Sequence, residues 1–187
     1  MADLPPGQRK IPNFIIYRIL GQPKIDIDRW RLEITGMVNN RLSLKYEDLL
    51  KMRQIEYVSD FHCVTGWTVE KVRWTGVSVR ELISYAKPLK GVKWGYIHSA
   101  DGYTTIVPYE DLISEHSIIA LKMNDQPLDI EHGYPARLFI PHLYGWKSAK
   151  WIVKIDLVNE YKDGYWEALG YHERGNVWKD ERFKKLY

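Results

Sequence analysis

The chain has a single cysteine, Cys63, so it cannot close a disulfide on itself, and a zinc site of paired thiolates is excluded. Its six histidines show no His-x-x-x-His spacing, which removes another common zinc pattern. Long apolar runs are missing too. A membrane helix needs roughly 20 such residues, and Phe14-Ile15-Ile16 is typical of what is here. The opening, Met1-Ala2-Asp3-Leu4-Pro5-Pro6, has no basic stretch followed by an apolar one; this predicts a cytoplasmic protein with no secretory or twin-arginine leader. Excess charge is small. A net charge of +3 does not call for nucleic acid or an anionic membrane, but it is compatible with one basic cleft around an anionic ligand. No aromatic–basic repeat supports a nucleic-acid interface. Internal repeats, low-complexity tracts and linkers are absent. The length predicts one domain over residues 1–187, with the Pro-rich residues 1–12 as an extended arm.

Aromatic residues are plentiful, with 8 Trp and 13 Tyr. They predict a packed, β-rich core and rim, and less strongly an aromatic-lined pocket. Asn13–Arg18 reads as a short strand or extended segment. Alternation at Trp30, Leu32 and Ile34 predicts a half-buried strand. Ser43 is placed to cap a short helix through Leu50. Residues 54–59 form the strand that leads to Cys63, and Trp74-Thr75-Gly76 reads as a loop. Ser78-Val79-Arg80-Glu81 is a capping box for a helix to about Ala86, where Pro88 forbids continuation. Trp94, Tyr96 and His98 alternate on a strand that Asp101-Gly102 turns into Tyr103–Val107, a hairpin. Pro108 suits the first turn of a helix over Tyr109–Ile113. Further strands are expected at Ser117–Met123, Ala136–Ile140 and Lys150–Leu157, the last with Trp151, Val153, Ile155 and Leu157 on one face. Strands outnumber short helices, which predicts an α+β domain rich in mixed sheet.

The chemistry concentrates around Asp60-Phe61-His62-Cys63-Val64-Thr65-Gly66-Trp67. By position alone Cys63 reads as a small buried hydrophobe, and its neighbours offer the other reading, a thiol at a strand end where a glycine lets backbone approach a ligand. A thiolate there is a soft ligand for a transition metal. A second stretch runs from His132-Gly133-Tyr134-Pro135-Ala136-Arg137-Leu138-Phe139-Ile140-Pro141 to Tyr144-Gly145-Trp146-Lys147-Ser148-Ala149-Lys150-Trp151. Taken alone, Lys147 and Lys150 read as a solvated face at a strand end. His62 and His142 are proton donors only if their rings face a cleft.

Cys-x-x-Gly-Trp, then His-Gly-x-Pro-x-Arg-Leu-x-x-Pro and Tyr-Gly-x-Lys-Ser-x-Lys-Trp, resembles the molybdopterin domain of the sulfite oxidase family. That family includes sulfite oxidases, plant-type nitrate reductases and the catalytic subunit of the periplasmic methionine sulfoxide reductase. The resemblance runs from about Asn13 to Tyr171. It implies the sulfite oxidase fold and a Mo-molybdopterin cofactor in the form without a nucleotide. It also implies Cys63 as the thiolate ligand to molybdenum and Tyr103 beside the metal. Cofactor contacts are implied at Asn13, Ile16, Tyr17, Ser99, His132 and Arg137, with the phosphate at Ser148-Ala149-Lys150. The activity implied is oxygen-atom transfer on a small molecule: a sulfoxide, an N-oxide or a sulfur oxyanion. A separate electron donor or acceptor protein is implied as well, since no haem domain is present. The arginines that surround the anionic substrate of sulfite oxidases are replaced here by Thr68, Tyr17 and Lys147, which argues against sulfite. The alternative is a molybdopterin-fold binding module without catalysis.

Overall fold

The computed structural model describes residues 4–185. From the N-terminus come β1 (Arg9–Lys10), β2 (Leu32–Gly36), β3 (Leu42–Leu44) and helix α1 (Tyr46–Lys51). Next are β4 (Gln54–Cys63), β5 (Trp67–Ser78), α2 (Val79–Ala86), β6 (Trp94–Ser99), β7 (Thr104–Pro108) and α3 (Tyr109–Leu112). The chain continues through β8 (Ile118–Met123), β9 (Gln126–Pro127), β10 (Arg137–Phe139), β11 (Ile152–Val158) and α4 (Tyr165–Ala168). The elements form two mixed sheets. One has the order β1-β5-β8-β10, with β4 beside β5 and β9 beside β8; the other has the order β3-β2-β11-β6-β7. The expected α+β class with short helices is what the chain adopts.

The inner strands of the first sheet, β5, β8 and β10, are largely buried on both faces. Val77, Ile119 and Leu138 enter the main core with Leu32, Ile34, Ile97, Ile155 and Leu157 of the second sheet. Their neighbours Trp74, Ile118 and Phe139 face the other way, into an aromatic cluster with Phe61 and Trp67. Strands buried on both faces lose polar alternation, which is why Ile118-Ile119-Ala120-Leu121 is a continuous apolar run. Trp74 stacks on Phe139 with centroids 4.3 Å apart.

Three local expectations are corrected. Trp74-Thr75-Gly76 is no loop but the middle of β5, whose pairing with β8 shifts register between Thr75 and Gly76. Glycine is required at that bulge because a Cβ on Gly76 would lie 2.0 Å from the Ile119 carbonyl oxygen. Ser43 does not cap a helix; it pairs with Glu33 inside β3. Helix α1 starts at Tyr46, and Asp48 accepts the Lys45 N–H at 2.8 Å. Asn13–Arg18, read as a short strand or an extended segment, joins neither sheet. In β11 the run Trp151, Val153, Ile155, Leu157 does not share one face. The register shifts between Ile152 and Lys154, so Ile152 is buried in phase with Ile155 and Leu157. The Ser78 hydroxyl does accept the Glu81 N–H, at 3.4 Å.

Two buried ionic groups tie the C-terminal residues to this frame. In the first, Lys147 donates to the Glu167 carboxylate at 2.5 Å, and both side chains are fully buried. The second is the Asp111 carboxylate in α3, which accepts from Arg174 at 2.9 Å and lies 2.8 Å from His142 Nε2. Burial pushes the Asp111 pKa up, but the His142 and Arg174 hydrogen bonds outweigh it and hold the group below its ordinary 3.8. A depressed carboxyl pKa gives stability that is complete above the unfolded value and lost as pH falls through the folded one. Asp111→Asn is therefore expected to flatten the acid side of the stability profile. Urea midpoints followed from about pH 5 to about pH 2 check this, with wild type losing more than the variant.

Candidate active site

Five segments converge where β4 ends. They are the turn after Cys63, the β6–β7 turn, residues 131–137, residues 145–151 and the extended residues 14–19. Together with Trp166 and Tyr171 they enclose a cavity of about 540 Å³. Ten of the eleven expected site residues line it: Cys63, Tyr103, Ile16, Tyr17, Ser99, His132, Arg137, Ser148, Ala149 and Lys150. Asn13 is exposed and lies outside the lining.

Cys63 Sγ is 3.2 Å from Thr65 Oγ1, and Tyr17 OH is 3.4 Å from the same oxygen. Burial raises the Cys63 pKa, and the hydrogen bonds from Thr65 and Val64 only partly offset it. At neutral pH the thiol is protonated and a poor nucleophile; a metal ion is what would deprotonate it.

Arg137 is the most unusual group in the wall. Only 3 % of it is exposed, and it donates to the His132 carbonyl at 3.0 Å and the Ser148 carbonyl at 2.9 Å. Its guanidinium lies 5.4 Å from the ring centroids of both Phe61 and Trp74. Its Nε has no acceptor, and no carboxylate among the described residues pairs with it. Burial pulls its pKa down to about 10, so it stays charged at neutral pH. A buried cation without a counter-ion is costly. The Ser99 hydroxyl, also in the wall, is buried without a partner.

Lys150 Nζ donates to the Tyr17 carbonyl at 2.8 Å and the Glu131 carbonyl at 2.9 Å, bridging the extended segment to the rest of the wall. Burial, and then the charge of Arg137, lower its pKa to about 8. His132 Nδ1 is held 2.8 Å from Asp129 Oδ1, which leaves Nε2 as the nitrogen free for a ligand. The Ser148 hydroxyl accepts the Ile140 N–H at 3.1 Å and keeps its own proton to donate. The Tyr103 hydroxyl is engaged already, donating to the Trp146 carbonyl at 2.6 Å.

Several positions differ from the sequence expectation. Lys147 is not on a solvated face; it points away from the cavity into the ion pair with Glu167. Thr68 is fully buried and bonded to Gln8 and His62. Arg18, at the cavity rim, is paired with Glu131. Thr68 and Tyr17 carry no charge and Lys147 is turned away, so none of the three positions compared with sulfite-binding arginines presents an unpaired cation to the cavity, and Arg18 beside Tyr17 is paired. His62 and His142 line a second cavity, of about 410 Å³. The aromatic wall of Phe14, Trp67, Trp146, Trp151 and Trp166 was not assigned from sequence. High aromatic content was its only signal.

The oxidoreductase molybdopterin binding domain family matches residues 19–166. An uncharacterized oxidoreductase, YuiH, of Bacillus subtilis is 36% identical over 181 residues, 96% of this chain and 91% of that protein. The catalytic subunit MsrP of a protein-methionine-sulfoxide reductase from Campylobacter jejuni is 31% identical over 163 residues, 78% of this chain. This chain spans 54% of that subunit. Among solved structures, the sulfane dehydrogenase SoxCD from Paracoccus pantotrophus matches with a TM-score of 0.69 at 24% identity, covering 75% of this chain and 41% of that one. The fold agrees with that match, and the chain belongs to the oxidoreductase molybdopterin binding domain family.

Proposed function

We propose that the cavity holds Mo-molybdopterin, without a nucleotide, and that the site exchanges an oxygen atom with a small neutral substrate, a sulfoxide or an N-oxide. The observation that carries this reading is Arg137, a buried cation whose Nε has no acceptor, in the same wall as the single thiol. An anionic, hydrogen-bonding ligand supplies what Arg137 and the Ser99 hydroxyl lack. Arg137, Lys150, Ser148 and His132 would hold the pterin and its phosphate, and Cys63 would ligate the metal. Molybdenum, when bound, supplies oxygen-atom exchange coupled to a two-electron change.

The remaining steps belong to the chain itself. The aromatic wall excludes water and shapes the substrate's apolar part. Thr65 and Tyr17, hydrogen-bonded beside Cys63, would donate to a polar oxygen only by giving up those bonds. Tyr103 would donate there only by leaving the Trp146 carbonyl. A neutral substrate fits because Arg18 is paired, Lys147 is turned away and Thr68 is buried, so no fork of free arginines awaits an oxyanion. The names of the sulfoxide reductase relatives make a sulfoxide the first substrate to assay. A separate protein would deliver or take up the electrons.

The test is pterin retention in Arg137→Met. The substitution keeps volume but removes the charge, and charge-assisted bonds of this kind are worth about 1.5–3 kcal/mol. Cofactor affinity is expected to fall by roughly 10- to 100-fold, read as pterin fluorescence per chain after gel filtration. Full retention would remove Arg137, and the argument built on it, from the cofactor site.

A further inference from the structure

The turn that presents Cys63 is gripped from behind by residues remote in sequence. The N-terminal arm is not loose: Arg9 N–H donates to the Gly66 carbonyl and Ile11 N–H to the Thr68 carbonyl, both at 2.9 Å, and β1 pairs in parallel with the start of β5. Gly66 lies at φ +95°, and a Cβ there would come within 2.9 Å of the Gly7 carbonyl oxygen. From the C-terminal side, Arg182 donates to the Val64 carbonyl at 2.5 Å and to the Pro6 carbonyl at 3.0 Å. Gln8 closes the grip. Its Nε2 donates to the Cys63 carbonyl at 3.0 Å, and its Oε1 accepts the Thr68 hydroxyl, also at 3.0 Å.

The bonding has one direction. Thr68 has a single hydroxyl proton and gives it to Gln8, so its oxygen accepts from His62 Nδ1, 2.8 Å away. The chain runs His62 Nδ1–H to Thr68, Thr68 O–H to Gln8, and Gln8 N–H to the Cys63 carbonyl. Every link is a side chain from outside the cavity lining.

We propose that Gln8 is a positioning residue for Cys63. It fixes the carbonyl of Cys63, and through the short Cys63–Gly66 turn it fixes where Sγ meets the cavity. The functional meaning rests on Cys63 being the metal ligand, whereas the grip itself belongs to the cofactor-free protein and is measured there. Cys63 is the only thiol, so alkylation of cofactor-free protein by iodoacetamide under native conditions reports on this turn alone. Gln8→Ala is expected to raise the alkylation rate about fivefold, the factor that goes with one ordinary net hydrogen bond. Thr68→Val, which breaks the same chain one link earlier, is expected to give a smaller rise. Thr35→Ala removes a Thr35–Asp156 hydrogen bond in the other sheet and should leave the rate unchanged at a similar loss of stability.

In protein loaded with cofactor, Gln8→Ala is expected to keep its pterin and shift the thiolate-to-metal absorption band. An unchanged alkylation rate in Gln8→Ala, or an equal rise in Thr35→Ala, would overturn the positioning role. A rate change in Gln8→Ala beside a wild type that never takes up molybdenum would support the grip and reject the metal-ligand reading.

Discussion

Cys63→Ser is expected to lose turnover by at least about 10³-fold, or about 4 kcal/mol of barrier, and to keep its pterin. The substitution changes one atom. A serine hydroxyl is not deprotonated near neutral pH and is a hard donor, whereas molybdenum with a dithiolene beside it favours sulfur. The groups assigned to the pterin, Arg137, Ser148, His132 and Lys150, are untouched and make their contacts independently of Sγ. Activity and cofactor content should therefore separate. Turnover is read with a reduced dye as electron donor and a small sulfoxide as acceptor. Pterin is read by fluorescence after oxidative release. Loss of both together would mean that Cys63 anchors the whole cofactor; loss of neither would take it out of the site. A nucleophilic thiol would predict alkylation at neutral pH as fast as a free thiolate's, and the burial that raises the Cys63 pKa argues the opposite.

The second large effect is on stability. Lys147→Met is expected to destabilise the fold by about 3–5 kcal/mol, because it leaves the Glu167 carboxylate buried and unpaired. Lys147 Nζ donates to Glu167 Oε1, and the same oxygen accepts from the Thr105 hydroxyl at 2.6 Å and the Trp146 indole at 3.1 Å. One oxygen thus organises α4, β7 and the cavity wall. Burial lowers the Lys147 pKa, and the Glu167 charge opposes that lowering. The double variant Lys147→Met, Glu167→Leu removes both charges and should be less destabilised than the two single losses add up to. Urea unfolding of the four proteins checks the cycle. Additive losses would mean that the two groups do not depend on each other.

How far the sequence carries can be judged at particular residues. Cys63, Arg137 and Lys150 were legible because their motif spacing is specific, and the fold brings all three to one cavity. Leu32–Gly36 of the second sheet was legible because its burial alternates, whereas Gly95, Tyr96 and Ile97 of Trp94–Ser99 are buried in succession and its alternating aromatics did not mark the core face. The middle of β5 was not, because Trp74-Thr75-Gly76 has the composition of a turn. Its glycine answers a long-range backbone approach from Ile119 instead. Lys147 was misread for a related reason. A lysine in a polar run reads as solvated, and its partner Glu167 lies 20 residues away with no local sign of pairing. Gln8 and Arg182 were invisible, since nothing near either residue announces that it ends at the Cys63 turn. Patterns of period two and short motifs are local, whereas the packing of termini onto a site is set only by the whole fold.

The measurement that tests the central claim most directly is the molybdenum content of wild type and Cys63→Ser, purified side by side from a molybdate-replete host that makes the pterin. The account predicts about one molybdenum per chain in wild type, a clear fall in the variant, and pterin in both. Molybdenum absent from wild type, or equal in the two proteins, would contradict it.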